Sequence, residues 1–272
     1  MDDIRMPVIF AGHGSPMTAL EMNDITAGMR AVGESVINIF GKPKAILSIS
    51  AHWFTEGTYV QSAAQPKQEY DFQDFPEEYY QVSYPVNGCA DLTSRVQELL
   101  GDKVSINDDW GIDHGTWSVL VHMFPAADIP VVQLSVNKSL IAQECYDLGK
   151  SLAQLRSEGY LILGSGNVAY DPEKVGYTSD KMARRNREGT QEAISFNNYI
   201  CRAVEYHHED RALNWEIGPN SEFAVPTVDH YWPLLYTIGA ADGDDGVAVN
   251  RVFSMGSVAM TMFAFGMFPK QG

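Results

Sequence analysis

Four of the chain's seven histidines stand where a side chain is free to point into a cleft. His13 lies between two glycines in GHGSP (12–16), directly after the apolar run PVIFA (7–11). His52 follows KAILSIS (44–50) in SAHWF (50–54). His114 sits in the glycine-flanked turn GIDHGTW (111–117), which opens the apolar stretch WSVLVHMF, and His230 follows Asp229 in PTVDHYWP (226–233). A lone histidine in such a place is ordinarily a capping or core residue satisfied by one backbone hydrogen bond. Two at equivalent strand ends point instead to a shared site. Imidazoles without a thiolate partner suit a borderline metal such as iron(II) or zinc. The carboxylate of Asp229 is placed to hold the tautomer of His230 from outside such a site.

Other chemistry has weaker support. The candidate ligands are scattered along the chain and no HExxH pair occurs. Gly164-Ser165-Gly166 is not the GxSxG elbow, Ser15 has no neighbouring base, and GSGN (164–167) lacks the lysine of a phosphate-binding loop. His122 falls among apolar residues and reads as a core or groove histidine. His207 and His208, in EYHHED, read as solvated.

The histidines need elements that hold them. PVIFA, KAILSIS, PVVQLSV (130–136) and YLILGSG (160–166) read as buried strands, with VAVNRVFS (247–254) as a weaker fifth. Residues 24–39, 91–100, 140–155 and 192–204 carry apolar positions at helical spacing. Strands alternating with helices predict an α/β fold whose central sheet is mainly parallel and flanked by helices. Near-continuous apolar strands predict that both sheet faces are covered. In such sheets ligands bind beyond the carboxyl ends of the strands, which is where the chain releases GHGSP, AHW and GSGN.

With 272 residues, 45% of them apolar, and no repeat or linker-like tract, the chain predicts one domain over 1–272. A formal net charge of −16 disfavours nucleic acid and anionic membrane surfaces as partners. The acidic start MDDIRMPVIF is not a signal peptide, and the apolar run from Val258 to Phe268 is too short to span a bilayer. Three cysteines without a CxxC indicate neither a disulfide framework nor a thiolate metal site, and a cytoplasmic location is expected. Homo-oligomerisation is left open by the sequence.

Taken together, GHGSP, SAHWF, FPEEYY (75–80), GIDHGTW, PVVQLS (130–135), GSGN, FNNY (196–199) and PTVDHYWPLLY (226–236) resemble, in order along nearly the whole chain, the class III extradiol ring-cleavage dioxygenases. The LigB-like 4,5-DOPA extradiol dioxygenases of bacteria and plants are the branch resembled. The resemblance implies a metal at the mouth of the sheet on His13, His52 and His230, with His114 as a further active-site group and Asn167 in substrate binding. Iron(II) is the metal it implies for ring cleavage of a catechol by O2, and zinc fits the same ligands.

Two departures stand out. The family follows GSGN with a histidine, usually as GSGNVVHN, whereas here Tyr170 and Asp171 stand in GSGNVAYD. A phenol with a pKa near ~10 is a poor base at neutral pH but can donate a hydrogen bond or act as an acid. A hydrolase or lyase on the same scaffold, not using O2, is therefore the alternative reading. Second, Lys181, Arg184, Arg185 and Arg187 concentrate positive charge in an acidic chain. They suit either an acidic substrate or a plain solvated face.

Overall fold

The computed structural model describes residues 5–171 and 188–267. Its strands are β1 (Val8–Gly12), β2 (Ala45–Thr55), β3 (Thr58–Val60), β4 (Val104–Ile106), β5 (Val131–Asn137), β6 (Tyr160–Gly166), β7 (Gly246–Val249), β8 (Phe253–Ser254), β9 (Val258–Ala259) and β10 (Met262–Phe265). Eight of them form one sheet in the order β4-β3-β5-β2-β6-β1-β10-β7, and β8 and β9 make a separate ribbon. The four central strands, β5-β2-β6-β1, are parallel. Antiparallel pairing is confined to the flanks, where β3 meets β5, β10 meets β1 and β7 meets β10. The α/β class and the mainly parallel sheet agree with the sequence reading.

The longer helices are α1 (Asp24–Phe40), α2 (Ala90–Leu100), α3 (His114–Met123), α4 (Ala142–Leu152), α5 (Gln191–Glu205) and α6 (Trp232–Ala241). Along β1, Val8 and Phe10 point into a core shared with α2, α4, α5 and α6, while Ile9 and Ala11 point into a second core shared with α1 and α3. The period of two therefore carries apolar residues to both faces, because both faces are covered. Helix α1 starts and stops at local signals in its sequence. Asn23 and Thr26 cap α1 reciprocally, each side chain accepting from the other's backbone N–H, and α1 ends at Gly41 with φ +82°.

The structure departs from the sequence reading in three places. The run 247–254 is two strands, broken where Asn250 takes φ +53°. The helix expected over 140–155 is α-helical only to Leu152 and continues as a 3-10 turn to Glu158. KAILSIS does not stop at Ser50: β2 runs on to Thr55, with its register against β5 shifted between Ser50 and Phe54. That irregularity brackets His52, and a bulge of this kind re-aims a side chain. Among the described residues, no helix is long and apolar enough to cross a membrane.

Helices α4 and α6 pack backbone to backbone. A Cβ built on Gly149 would collide with the Tyr236 carbonyl, and one on Gly239 with the Tyr146 carbonyl. Neither obstacle is a flexible side chain, so the helices would have to separate. Gly149→Ala is expected to lower stability by about 1–3 kcal/mol, the range for an overpacked core, as measured by urea unfolding. An unchanged midpoint would show that α6 can move away freely, and with it the turn that carries His230.

Candidate metal centre

Four elements deliver the four histidines to one point beyond the carboxyl ends of the parallel strands. His13 follows β1, His52 lies within the shifted part of β2, His114 is the first residue of α3, and His230 lies in the turn before α6. The rings of His13, His52 and His230 form a nearly equilateral triangle, with centroids 4.9, 5.2 and 5.3 Å apart. His114 stands beside it, 4.0 Å from His52 and 5.7 Å from His13. All but His52 are buried, and His52 is half-buried.

Each imidazole meets an outer partner at Nδ1. His13 Nδ1 is 3.0 Å from Ser165 Oγ. That hydroxyl donates its own proton to the Gly115 carbonyl, so it accepts from His13. His230 Nδ1 meets the Asp229 carboxylate. His52 Nδ1 lies 2.9 Å from Asp71 Oδ2 and His114 Nδ1 lies 3.0 Å from Asp71 Oδ1. With Nδ1 protonated and facing outward, a neutral imidazole turns the Nε2 lone pair inward. His13 Nε2 and His52 Nε2 then come within 3.0 Å of each other, and the buried His230 Nε2 has no hydrogen-bond partner among the described residues. Converging lone pairs repel one another unless a proton or a metal ion lies between them. Nitrogen donors with outer carboxylate and hydroxyl partners suit a divalent transition metal.

Two triads share His13 and His52. One is closed by His230, and the other by His114, whose ligand nitrogen lies within 4.8 Å of those of His13 and His52. The first has an outer partner of its own for every ring. In the second, His52 and His114 share the single carboxylate of Asp71.

Electrostatics point the same way. Burial pushes His13 well below the ordinary imidazole range, assisted by His52, His230 and His114. Burial likewise lowers His230, and brings His114 down to about 4. For His52 burial acts downward too, but Asp71, Asp113 and Asp229 outweigh it and raise the pKa. Burial opposes ionisation of Asp229, yet the hydrogen bond to His230 prevails and holds it at about 2. Three neutral imidazoles surrounded by carboxylates that favour positive charge make a site for a bound cation.

Ser165, Asp71 and Asp113 escape the sequence reading. GSGN reads there as a stretch of small residues that makes room, whereas its serine ties β6 to both His13 and the His114 turn. Asp71 stands in no spaced motif. Asp113 caps α3 and is fully buried, accepting from Ser50 Oγ at 2.7 Å, Trp110 Nε1 at 3.0 Å and the Gln133 side chain. It thereby joins the start of α3 to β2 two residues before His52. Gly166 has no room for a side chain, because a Cβ there would strike the His230 carbonyl.

Asn167 is buried. Its amide donates to the Ala259 carbonyl at 2.8 Å, its backbone N–H donates to the His230 carbonyl at 2.9 Å, and its Oδ1 has no partner among the described residues. Tyr170 lies flat on His230, with centroids 3.6 Å apart and planes 5° apart. Burial pushes its phenol up to about 12, helped by Asp229 and Asp171. His122 is a structural residue, its Nε2 donating to the Thr18 carbonyl at 2.8 Å. The basic cluster of Lys181, Arg184, Arg185 and Arg187 lies outside the described residues.

An imidazole-lined centre at the mouth of an α/β sheet defines a class, and the comparisons name it. The chain belongs to the LigB family: the family model described as the catalytic LigB subunit of aromatic ring-opening dioxygenase matches residues 7–231. It is an enzyme of the extradiol ring-opening dioxygenase type. It is 38% identical to the 4,5-DOPA dioxygenase extradiol of Escherichia coli K12, covering 98% of this chain and 97% of that protein. It is 37% identical to the 4,5-DOPA dioxygenase extradiol of Beta vulgaris over 88% of each chain. The crystal structure of an uncharacterized Escherichia coli K12 protein superposes with a TM-score of 0.79 at 34% identity, covering 96% of this chain and all of that one.

The serine contact yields a direct test. Ser165→Ala leaves the buried His13 Nδ1 without its acceptor and frees the ring to change tautomer. Zinc affinity, measured by chelator competition, is expected to fall 10–100-fold, the usual effect of losing an outer partner of a ligand. Unchanged affinity would remove Ser165 from the site's support.

Proposed function

We propose that this protein cleaves the ring of a catechol, DOPA-like in type, with O2, using a mononuclear non-haem metal held by His13, His52 and His230. We read residues 1–272 as one such domain. The observation that carries the reading is the triangle of imidazoles whose Nδ1 atoms are each engaged from outside. Iron(II) is the metal proposed, and it would supply a redox-active Lewis acid that brings catechol and O2 together; zinc suits the same nitrogens. In the overall change, the bond between a hydroxyl-bearing ring carbon and its unsubstituted neighbour breaks. Both atoms of O2 are retained, giving a carboxylic acid and an aldehyde, so no external reductant is consumed.

The chain's own groups divide the remaining work. His114 is held neutral by burial, so its Nε2 can accept a phenolic proton from the substrate. Phe72 meets His114 edge to face at 5.6 Å. With Tyr70, Tyr80 and Trp117 it forms an aromatic wall that excludes water. Tyr170 has too high a pKa to act as a base and serves as a hydrogen-bond donor or acid toward the bound substrate. Asn167 backs the substrate side from the GSGN turn. A small aromatic and O2 are thus the proposed partners, with neither nucleic acid nor membrane among them, in a cytoplasmic protein.

Two measurements test the reading. Protein reconstituted anaerobically with iron(II) is expected to consume one O2 per catechol cleaved, and His13→Ala to lose stoichiometric metal. Ring opening without O2 uptake would favour the hydrolase or lyase reading, and unchanged metal content would sink the ligand assignment. Tyr170→Phe is expected to keep its metal and lose turnover by ~10²-fold, at the low end of acid–base contributions. Full turnover in that variant would leave the ring stack on His230 as the whole contribution of Tyr170.

A further inference from the structure

We propose that Asp71 is a positioning residue: its single carboxylate holds the Nδ1–H of both His52 and His114 outward, so that one ring offers Nε2 to the metal and the other offers Nε2 to the substrate proton. The proposal rests on the metal assignment made above. The two carboxylate oxygens are divided between the rings, Oδ2 at 2.9 Å from His52 Nδ1 and Oδ1 at 3.0 Å from His114 Nδ1. Oδ1 also accepts from the His114 backbone N–H at 2.9 Å. The ring contacts are short but bent, and neither is a fully formed hydrogen bond. Charge decides the tautomer nonetheless. An anionic oxygen at this range repels a nitrogen lone pair and attracts an N–H, most strongly where solvent is excluded.

The backbone makes this carboxylate part of the His114 turn. Gln68 bridges Ile112 in parallel register, Glu69 N–H donates to the Ile112 carbonyl at 2.9 Å, and Trp117 Nε1 donates to the Glu69 carbonyl at 2.8 Å. Segment 68–71 is therefore fastened to the residues on either side of His114. Phe72, the next residue, packs on His114 and Trp117, and the Asp71 side chain is buried. A carboxylate that merely capped α3 would be redundant, because Asp113 already occupies that position and accepts from Thr116 N–H. What Asp71 adds is the contact to two rings 4.0 Å apart. It couples them: His52 cannot reverse its tautomer without disturbing the group that fixes His114.

The test uses zinc-loaded protein labelled with 15N-histidine, whose ring nitrogens report the tautomer directly by NMR. In the wild type, His114 is expected to be neutral with its proton on Nδ1. An amide at position 71 would offer one acceptor and one donor, so one of the two rings would have to accept at Nδ1. His52 is tied to the ion through Nε2. In Asp71→Asn it is therefore His114 that is expected to move its proton to Nε2, while zinc affinity falls ~10-fold and turnover ~10²-fold. With iron(II) kept saturating, so that the weaker hold on His52 is offset, Asp71→Asn in a His114→Ala background is expected to cost no further turnover, since the remaining effect runs through His114. A wild-type His114 protonated on Nε2, or a variant that keeps the wild-type tautomer, overturns the proposal and leaves the metal assignment standing. Should the variant not fold, the wild-type spectrum decides alone. Wild-type protein that takes up no zinc overturns the metal assignment and this proposal together.

Discussion

Everything at this site depends on where four imidazole protons sit. An imidazole that gives its Nδ1 proton to an outer acceptor has only its Nε2 lone pair left to face inward. Ser165, Asp71 and Asp229 take that outer position around His13, His52 with His114, and His230. Several such lone pairs aimed at one small volume cannot be left facing each other. Converging rings 5 Å apart are stable as a set only with a positive charge among them, so the outer contacts and the capacity to bind a cation are one property.

The rest of the architecture keeps those outer partners in place. Ser165 belongs to β6, between β1, which releases His13, and β2, which carries His52. Its hydroxyl reaches on to the Gly115 carbonyl, so one side chain fixes three elements. Asp113 does the same from below, linking β2, β5 and the start of α3 through Ser50 and Gln133. Buried polar groups of this kind are costly unless fully partnered. Here they are partnered by one another, which holds the strand ends in a single arrangement and leaves the histidines little freedom.

Tyr170 shows how the family pattern is altered without disturbing this frame. The GSGN turn holds the backbone, Asn167 ties it to Ala259, and the Tyr170 N–H donates to the Ala224 carbonyl at 2.8 Å. Direction is set by the main chain, so a phenol arrives where the resemblance implies an imidazole. Lying flat on His230, it shields that ring from solvent and lowers the polarity beside it. An aromatic face is gained and a titratable base is lost, which leaves His114 as the imidazole beside the proposed ligand triangle.

The sequence by itself determined the α/β class, the core strands and helices, and the candidate histidines. Each of those is written in local pattern: apolar runs of strand length, apolar positions at helical spacing, glycine on either side of His13 and ahead of His114. Apart from Asp229, which adjoins His230 in sequence, tertiary structure alone decided the outer ring of partners. Asp71 meets His114 across 43 positions and Ser165 meets His13 across 152, separations at which no periodicity carries information. It also decided that β2 continues past Ser50 with a shifted register, and that three short or interrupted stretches join the sheet as β3, β4 and β10. Strands of three or four residues have too little length for an alternation to show, and they form because an open edge beside them offers backbone hydrogen bonds. Tyr170 divides between the two. Its identity as a departure is legible in GSGNVAYD, whereas its place flat on His230 follows from the meeting of β6 with the turn before α6, a contact that only the folded chain brings about.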